Sequence, residues 1–204
     1  MAKNAVSTLC GREGDKMRER IREIILDSIQ IKEELLKNNI SQILQISEIV
    51  IESIKKGGKL IVFGNGGSAS DAQHITAELV GRFKKDRPAL AALALTTNTS
   101  IITALANDFG YETVFSRQLE ALAGKQDVAL GISTSGKAKN VALGFKQAKK
   151  MGLKTIALTG GDGGELVKLA DVSLVVPSAI TARIQETHIT IGHIVCELVE
   201  ESLS

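Results

Sequence analysis

From Lys59 onward, short runs of apolar residues alternate with longer stretches in which apolar residues recur every three or four positions. The short runs predict buried strands, and the longer amphipathic stretches predict helices. Five strands are predicted in this way, at about 60–63, 91–95, 127–132, 155–159 and 172–176. Strands that are apolar throughout are typical of parallel sheets covered on both faces. The pattern therefore predicts an α/β fold, a doubly wound sandwich with a five-stranded parallel sheet.

Two helices are predicted before the first strand, over residues 16–37 and about 40–56. Gly57-Gly58 provides a stop signal for the second helix. The apolar stripes of this helix hairpin are broad, which favours burial against partner subunits, with packing on its own sheet as the alternative. Residues 1–15 are polar and are predicted to be flexible. We expect residues 16–204 to form one domain that includes the helices 16–56.

Ligands of doubly wound sheets bind beyond the carboxyl ends of the strands, so the turns after the strands are the candidate sites. The first turn is rich in glycine, and Ser68 is predicted to cap a helix that runs to about Arg82. Free backbone N–H groups at such a helix start form an anion site. The turn lacks the Lys-Ser/Thr pair of a P-loop. It fits a dinucleotide fingerprint, Gly64-x-Gly66-x-x-Ala69, but the next strand is not followed by the acidic residue that a ribose requires.

Three later turns carry further polar groups. Ser133, Thr134 and Ser135 precede a glycine and a helix start, which makes this turn the best phosphate candidate, with an ordinary capped turn as the alternative. The segment 107–110 is predicted to be a loop. The glycine-rich segment 160–164 is typical of a flexible connection.

Two predicted helices carry candidate metal or acid–base residues. His74 and Glu78 are four residues apart, so they lie on one flank of the helix after the first turn. They form either a surface hydrogen-bonded pair or half of a metal site, which needs further ligands. In the last helix, about 182–200, Gln185 and His193 lie eight residues apart on broadly the same flank. His188 is interpreted as a core histidine, with a partly exposed histidine as the alternative.

Composition excludes several classes of function. The net charge is +2 with both signs spread along the chain, so nothing indicates a nucleic-acid partner. Aromatic residues make up 3% of the chain, which argues against base stacking. No signal peptide or membrane span is expected. Cys10 and Cys196 lack metal-ligand spacing, which favours a reduced cytoplasmic compartment.

Taken in chain order, the motifs GNGGSASDAQH-x3-E, NDFG, GISTSG, LTG-x-DGG and RIQE-x-H-x4-H resemble the phosphoheptose isomerase family of the sugar isomerase (SIS) superfamily. The resemblance extends from Lys59 to the C-terminus and implies a flavodoxin-like SIS fold. It implies conversion of sedoheptulose 7-phosphate to D-glycero-D-manno-heptose 7-phosphate through an enediol, for bacterial surface polysaccharide such as lipopolysaccharide. It also implies a cytoplasmic homotetramer with sites at subunit interfaces and one Zn²⁺ per subunit.

The resemblance also implies roles for individual residues. The zinc positions are His74, Glu78, Gln185 and His193. The catalytic pair is Glu78 and His193. The substrate-contact positions are Asn65, Gly66, Gly67, Glu78, Asn107, Asp108, Ser133, Thr134, Ser135 and Gln185.

The chain departs from the family at Ala138, where relatives often have a serine two residues after the STSG glycine. Lys137 is the candidate replacement for that phosphate donor. Two alternatives to the isomerase stay open at this point. One is a non-catalytic SIS-domain protein that binds a replication initiator, although such a protein does not require the His74, Glu78, Gln185 and His193 set. The other is an isomerase or a sensor for another phosphosugar.

Overall fold

The computed structural model describes the backbone of residues 2–203 and the side chains of residues 13–203. Eight α-helices and five strands are assigned within this part of the chain, with a short 3-10 turn at Tyr111–Thr113. The helices are α1 (Ala2–Asn38), α2 (Ile40–Lys55), α3 (Gly67–Val80), α4 (Thr99–Phe109), α5 (Val114–Leu122), α6 (Lys139–Lys150), α7 (Leu166–Leu169) and α8 (Thr181–Leu203). The strands are β1 (Leu60–Gly64), β2 (Ala92–Ala94), β3 (Val128–Ser133), β4 (Lys154–Gly160) and β5 (Val172–Val176).

The five strands form one sheet in the order β2-β1-β3-β4-β5, and every neighbouring pair is parallel. In β1, Gly64 pairs with Ile132 of β3, so these two central strands end at the same level. The strand order reverses between β1 and β3, which is where ligands of such sheets bind. The turns after β1 and β3 therefore lie next to each other at this reversal. The arrangement confirms the predicted doubly wound α/β fold.

Two separate apolar cores cover the two faces of the sheet. Leu60 and Val62 of β1 belong to the core formed with α2, α3 and α8. Ile61 and Phe63, which point to the opposite face, belong to the core formed with α5 and α6. The ring of Phe63 packs there against Phe115, with ring centroids 5.2 Å apart. Burial on both sides explains why the central strands β1 and β3 contain no polar alternation.

Several predicted boundaries were wrong. Helix α1 begins at Ala2 rather than at residue 16. The flexibility of residues 1–15 and the single domain over residues 16–204 stay predictions. Gly66, with φ of 55°, is the N-cap of α3, and Ser68 is a buried residue of its first turn. Here the loop turns sharply enough to start the helix early, which only a residue that tolerates positive φ permits. Asn107 and Asp108 lie in the last turn of α4 and not in a loop.

The helix hairpin leaves a large apolar surface exposed, which we call the hairpin face. In α1, Ile25 is 53% exposed, Leu26 62% and Leu36 67%. The remaining members of the hairpin face are Met17, Ile21, Ile24, Ile29, Ile40 and Leu44. An exposed apolar surface of this extent is typical of a protein–protein interface.

Candidate functional site

Helices α3 and α8 lie side by side and run in the same direction. At one level, the side chain of Gln185 packs directly on Gly67. Further along, a Cβ atom on Gly192 would lie 2.8 Å from two side-chain atoms of Ile75, and Cys196 Sγ approaches the Ile75 carbonyl oxygen at 3.8 Å. Gly192 thus allows the helices to approach closely, and side chains on successive turns face each other across the contact.

This contact brings His74, Glu78 and His193 together. His74 Nε2 lies 3.1 Å from Glu78 Oε1 and 2.9 Å from His193 Nε2. The ligand atoms of the three residues are all within 4.8 Å of one another. The His193 ring also packs against Phe83, with centroids 5.5 Å apart. The predicted pair on α3 therefore meets the predicted histidine of α8 within one chain.

The donor chemistry of this group fits a metal ion. A proton on His74 Nε2 can form a hydrogen bond with either Glu78 Oε1 or His193 Nε2, but not with both. A cation among these three atoms instead accepts a lone pair from each of them. Two imidazoles and one carboxylate are the ligand set of several catalytic zinc sites, which hold water or substrate at the fourth position. All three side chains are at least partly accessible, so a ligand can reach them.

The structure places Gln185, the fourth predicted metal position, at Gly67. Gly67 precedes His74 by seven residues of helix, about 10 Å along the axis of α3. The carboxamide therefore lies at the glycine-rich turn, at the start of α3. Its membership of the metal site stays a prediction.

Asp71 is a further polar residue beside this group, one turn before His74. Desolvation raises the pKa of Asp71 to about 6, and the nearby His74 opposes the shift only in part. Its Oδ2 atom is buried and has no hydrogen-bond partner among the described residues. The sequence indicated its position on α3 but gave no signal of its burial.

A polar cavity of about 380 Å³ opens beyond β3 and β4. The turn 133–137 and the turn 160–164 form opposite walls, and the backbones of Gly136 and Gly163 touch where any side chain would collide. Gly163 and Gly164 are therefore packed against Gly136, whereas Gly161 and Asp162 are exposed, and the flexibility of the segment 160–164 stays a prediction. The residues that line the cavity are Thr134, Ser135, Lys137, Gly160, Gly161, Asp162, Ser178, Ala179, Thr181 and Ile184.

Lys137 provides the positive charge of this cavity. Its Nζ lies 3.0 Å from Asp162 Oδ2 across the mouth, and both side chains are exposed. The hydrogen bond from Lys137 and the N–H of Gly164 lower the pKa of Asp162. Ala138, the departure from the family pattern, is the N-cap of α6 and makes no side-chain cap bond. Lys137 is thus placed to replace the missing hydroxyl.

A network of amides fixes the glycine-rich turn. Asn65 and Asn140 exchange two hydrogen bonds of 2.9 and 2.8 Å, and Tyr111 donates to Asn65 Oδ1 over 3.0 Å. Asn107 donates to Asp108 Oδ1 in the helix that leads to Tyr111. No hydrogen bond joins the predicted substrate-contact residues Asn107 and Asp108 to the turn among the described residues, and their role stays a prediction. Asn140 and Tyr111 had no signal in the sequence, because their partners lie far away along the chain.

His188 is fully buried, as its apolar surroundings predicted. Its Nε2 lies 3.0 Å from the carbonyl oxygen of Thr159, and Nδ1 has no partner among the described residues. Burial lowers the pKa of His188 to about 4, so the ring is neutral. His188 is a core histidine that contacts the end of β4.

The class of the protein is that of the sugar isomerase (SIS) domain. A sequence model of the SIS domain matches residues 25–160, which include the glycine-rich turn and the turn after β3. None of the helices in the described part of the chain combines the length and the apolar character needed to cross a bilayer.

Full-length relatives give a narrower assignment. The phosphoheptose isomerase of Aquifex aeolicus is 52% identical over 91% of this chain and 97% of its own length. The structure of a phosphoheptose isomerase from Neisseria gonorrhoeae, 42% identical, superposes with a TM-score of 0.86 over 91% of this chain and 99% of that one. A phosphoheptose isomerase structure from Francisella tularensis, 37% identical, has a TM-score of 0.87 over 90% of this chain and 97% of that one. The chain therefore belongs to the phosphoheptose isomerase family of SIS-domain proteins.

Proposed function

We propose that this protein is an aldose–ketose isomerase that converts sedoheptulose 7-phosphate to D-glycero-D-manno-heptose 7-phosphate. The observation that carries the proposal is the convergence of His74, Glu78 and His193 on the α3–α8 contact. The polar cavity beyond β3 and β4 supports it as a place for a phosphate group. Membership of the phosphoheptose isomerase family supports the substrate. A non-catalytic SIS-domain protein has no need of this group.

The reaction moves a proton between two adjacent carbons of the open-chain sugar. Glu78 is the proposed base: it removes the C1 proton of the ketose, and the carbonyl oxygen at C2 takes up a proton to give a cis-enediol. Glu78 Oε1 lies 3.1 Å from His74 Nε2, and the second carboxylate oxygen, Oε2, is proposed to hold the transferred proton and return it to C2. His193 is the proposed shuttle for the hydroxyl protons, since an imidazole exchanges protons near neutral pH.

The proposed cofactor is one Zn²⁺ per subunit, held by His74, Glu78 and His193, with Gln185 as the predicted fourth ligand. A bound zinc ion supplies Lewis acidity that polarises a carbonyl oxygen. The histidine-rich, thiolate-free ligand set suits a site open to substrate.

The phosphate group is assigned to the cavity between the turns 133–137 and 160–164. Hydroxyl groups of Thr134 and Ser135 and the ammonium group of Lys137 line it, and all can donate to phosphate oxygens. Asn65, Gly66, Gly67, Asn107, Asp108 and Ser133 are the further proposed substrate contacts. Binding energy from the phosphate, which is remote from C1 and C2, positions the open chain for proton transfer.

The hairpin face supports a proposed homotetramer, in which copies of this chain cover it. The resemblance to cytoplasmic enzymes of heptose synthesis supports a cytoplasmic location for this protein. It also supports a role in supplying heptose for surface polysaccharide. Sites at the subunit interfaces are part of this proposal, and the resemblance to the family supports them.

The test compares turnover of sedoheptulose 7-phosphate by the wild type, Glu78→Gln and His193→Ala. General acid–base groups contribute about 10²–10⁴-fold, so each variant is expected to lose at least about 100-fold in kcat. Glu52→Gln is the matched control, because Glu52 is an exposed carboxylate on α2 that pairs with Lys56. Full activity in both site variants, or a wild type that converts only another phosphosugar, would overturn the proposal.

A further inference from the structure

A buried ion pair joins the ends of α3 and α8 beyond the metal group. The side chains of Arg87 and Glu200 are each 2% exposed, and Arg87 Nε donates to Glu200 Oε1 over 3.0 Å. The Glu200 carboxylate also accepts three successive backbone N–H groups, from Phe83, Lys84 and Lys85, at 3.1, 2.7 and 2.9 Å. The pair therefore orders the segment that follows α3.

The carboxylate of Glu200 is ionised in spite of its burial. Desolvation alone would raise its pKa, but the N–H groups of residues 83–85 and the Arg87 guanidinium outweigh that effect and lower the pKa to about 2. A charged pair in an apolar setting keeps its geometry, because any displacement leaves a buried charge unpaired.

Arg87 holds the backbone of the proposed base. Its Nη2 donates to the carbonyl oxygen of Glu78 over 3.0 Å, and its Nη1 donates to that of Leu79 over 2.9 Å. These carbonyl groups belong to the last turn of α3 and have no partner within the helix. The negative end of the helix dipole adds to the attraction for the guanidinium group. Arg87 thus fixes the turn that carries the Glu78 side chain.

Glu200 acts on the other half of the site. It follows His193 by seven residues, or two helical turns, so both side chains project from one side of α8. The backbone N–H of Phe83 binds Glu200, and the ring of Phe83 packs against the ring of His193. One ion pair is therefore connected to Glu78 through a carbonyl group and to His193 through an aromatic contact.

We infer that Arg87 and Glu200 are positioning residues, which hold α3 and α8 in the relative placement that brings Glu78 and His193 to one metal ion and one substrate. The catalytic part of this inference rests on the proposed function. Stabilisation alone does not account for the pair, because apolar residues commonly replace a buried ion pair without loss of stability. The hydrogen bonds from Arg87 to the carbonyl oxygens of Glu78 and Leu79, and from the N–H of Phe83 to Glu200, instead specify a geometry.

The experiment measures zinc affinity by competition with a chelator, kcat and KM for sedoheptulose 7-phosphate, and the free energy of unfolding. The variants are Glu200→Gln, Arg87→Lys and the apolar double replacement Arg87→Met with Glu200→Leu. Asp127→Asn is the matched control: Asp127 is a buried carboxylate that accepts N–H groups of Lys59 and Gly124 and pairs with Lys59, at the opposite end of the sheet.

We expect Glu200→Gln and Arg87→Lys to weaken zinc binding and to lower kcat by about 10–100-fold, the usual effect of removing an outer partner of a metal ligand. KM is expected to change less than kcat, since the phosphate cavity is not attached to the pair. The double replacement regains stability but not zinc affinity, and Asp127→Asn loses stability while zinc affinity and kcat per folded molecule stay at the wild-type level.

Zinc affinity and kcat within twofold of the wild type in Glu200→Gln and Arg87→Lys would overturn the inference. Recovery of both quantities in the double replacement would also overturn it, since the pair would then serve stability alone. The two failures are distinguishable: a protein inactive on the heptose phosphate refutes the proposed function, while the zinc measurement still decides the role of the pair.

Discussion

The close approach of α3 and α8 at Gly192 is tested by Gly192→Ala. The new Cβ would lie 2.8 Å from Cδ1 and Cγ1 of Ile75, which is 1% exposed and has no space to move into. Overpacking of a core costs about 1–3 kcal/mol. Replacement of a helical glycine by alanine returns about 1 kcal/mol through helix propensity. The expected net loss of unfolding free energy is therefore roughly 0–2 kcal/mol, and the variant folds.

The effect on activity is expected to be much larger than this loss of stability. Relief of the overlap moves the helices apart next to His193, whose Nε2 is 2.9 Å from that of His74. A misplacement of about 1 Å at a catalytic group can cost about 100-fold in rate, so we expect kcat to fall by about 10–100-fold, with weaker zinc binding.

Gly144→Ala is the matched control. Gly144 lies in α6 on the opposite face of the sheet, and its Cβ would lie 2.8 Å from Phe63 Cε2. Both variants suffer the same kind of overlap, but only Gly192→Ala separates the site helices. Unfolding by urea, chelator competition and steady-state kinetics are measured for both. Equal kcat in the two variants, or unchanged zinc affinity in Gly192→Ala, would refute the reasoning.

Three further predictions follow from other parts of the structure. In the folded state the pKa of His188 is about 4, below its unfolded value of about 6.5. The unfolded chain therefore binds a proton first as the pH falls, so the contribution of His188 to the free energy of unfolding is complete above pH 6.5 and is lost between pH 6.5 and 4. The loss is at most about 3 kcal/mol. The unfolding free energy, measured in urea at pH 7.5 and pH 5, should differ less between the two pH values in His188→Gln than in the wild type. An equal difference in both proteins would contradict this. Lys137→Ala should raise KM about fivefold with little change in kcat or stability. Lys139 lies outside the cavity, so Lys139→Ala should leave KM unchanged. An unaltered KM in Lys137→Ala would contradict a role of Lys137 in phosphate binding. The double variant Ile21→Lys with Ile25→Lys should dissociate the oligomer, as measured by sedimentation. Leu122→Lys on α5 is the control and should leave the oligomer intact. An unchanged mass of the double variant would argue against the hairpin face as the interface.

The fold was largely predictable because its signals are local. The strands are largely apolar runs, and the glycine and polar residues that bound them can be recognised directly in the sequence. The boundaries that failed depend on a few torsion angles: Gly66 adopts positive φ and starts α3 before Ser68. Asn107 and Asp108, polar as loop residues usually are, continue α4 by one turn.

The site was predictable only in part, because much of it depends on contacts between distant segments. The spacing of His74 and Glu78 indicated a shared flank, but the meeting with His193 requires the parallel contact of α3 and α8. Periodicity carries no information about Asn140, which pairs with Asn65, or about Glu200, which pairs with Arg87. Their sequence separations of 75 and 113 residues explain why only the folded chain reveals these pairs.

The most direct measurement follows sedoheptulose 7-phosphate by NMR in heavy water, with the purified protein and with or without a chelator. The account predicts an aldoheptose 7-phosphate that carries solvent deuterium at C2, with production stopped by the chelator and restored by Zn²⁺. Formation of product without deuterium would contradict an exchanging enediol proton held by Glu78. Absence of product from folded, zinc-loaded protein would contradict the isomerase itself.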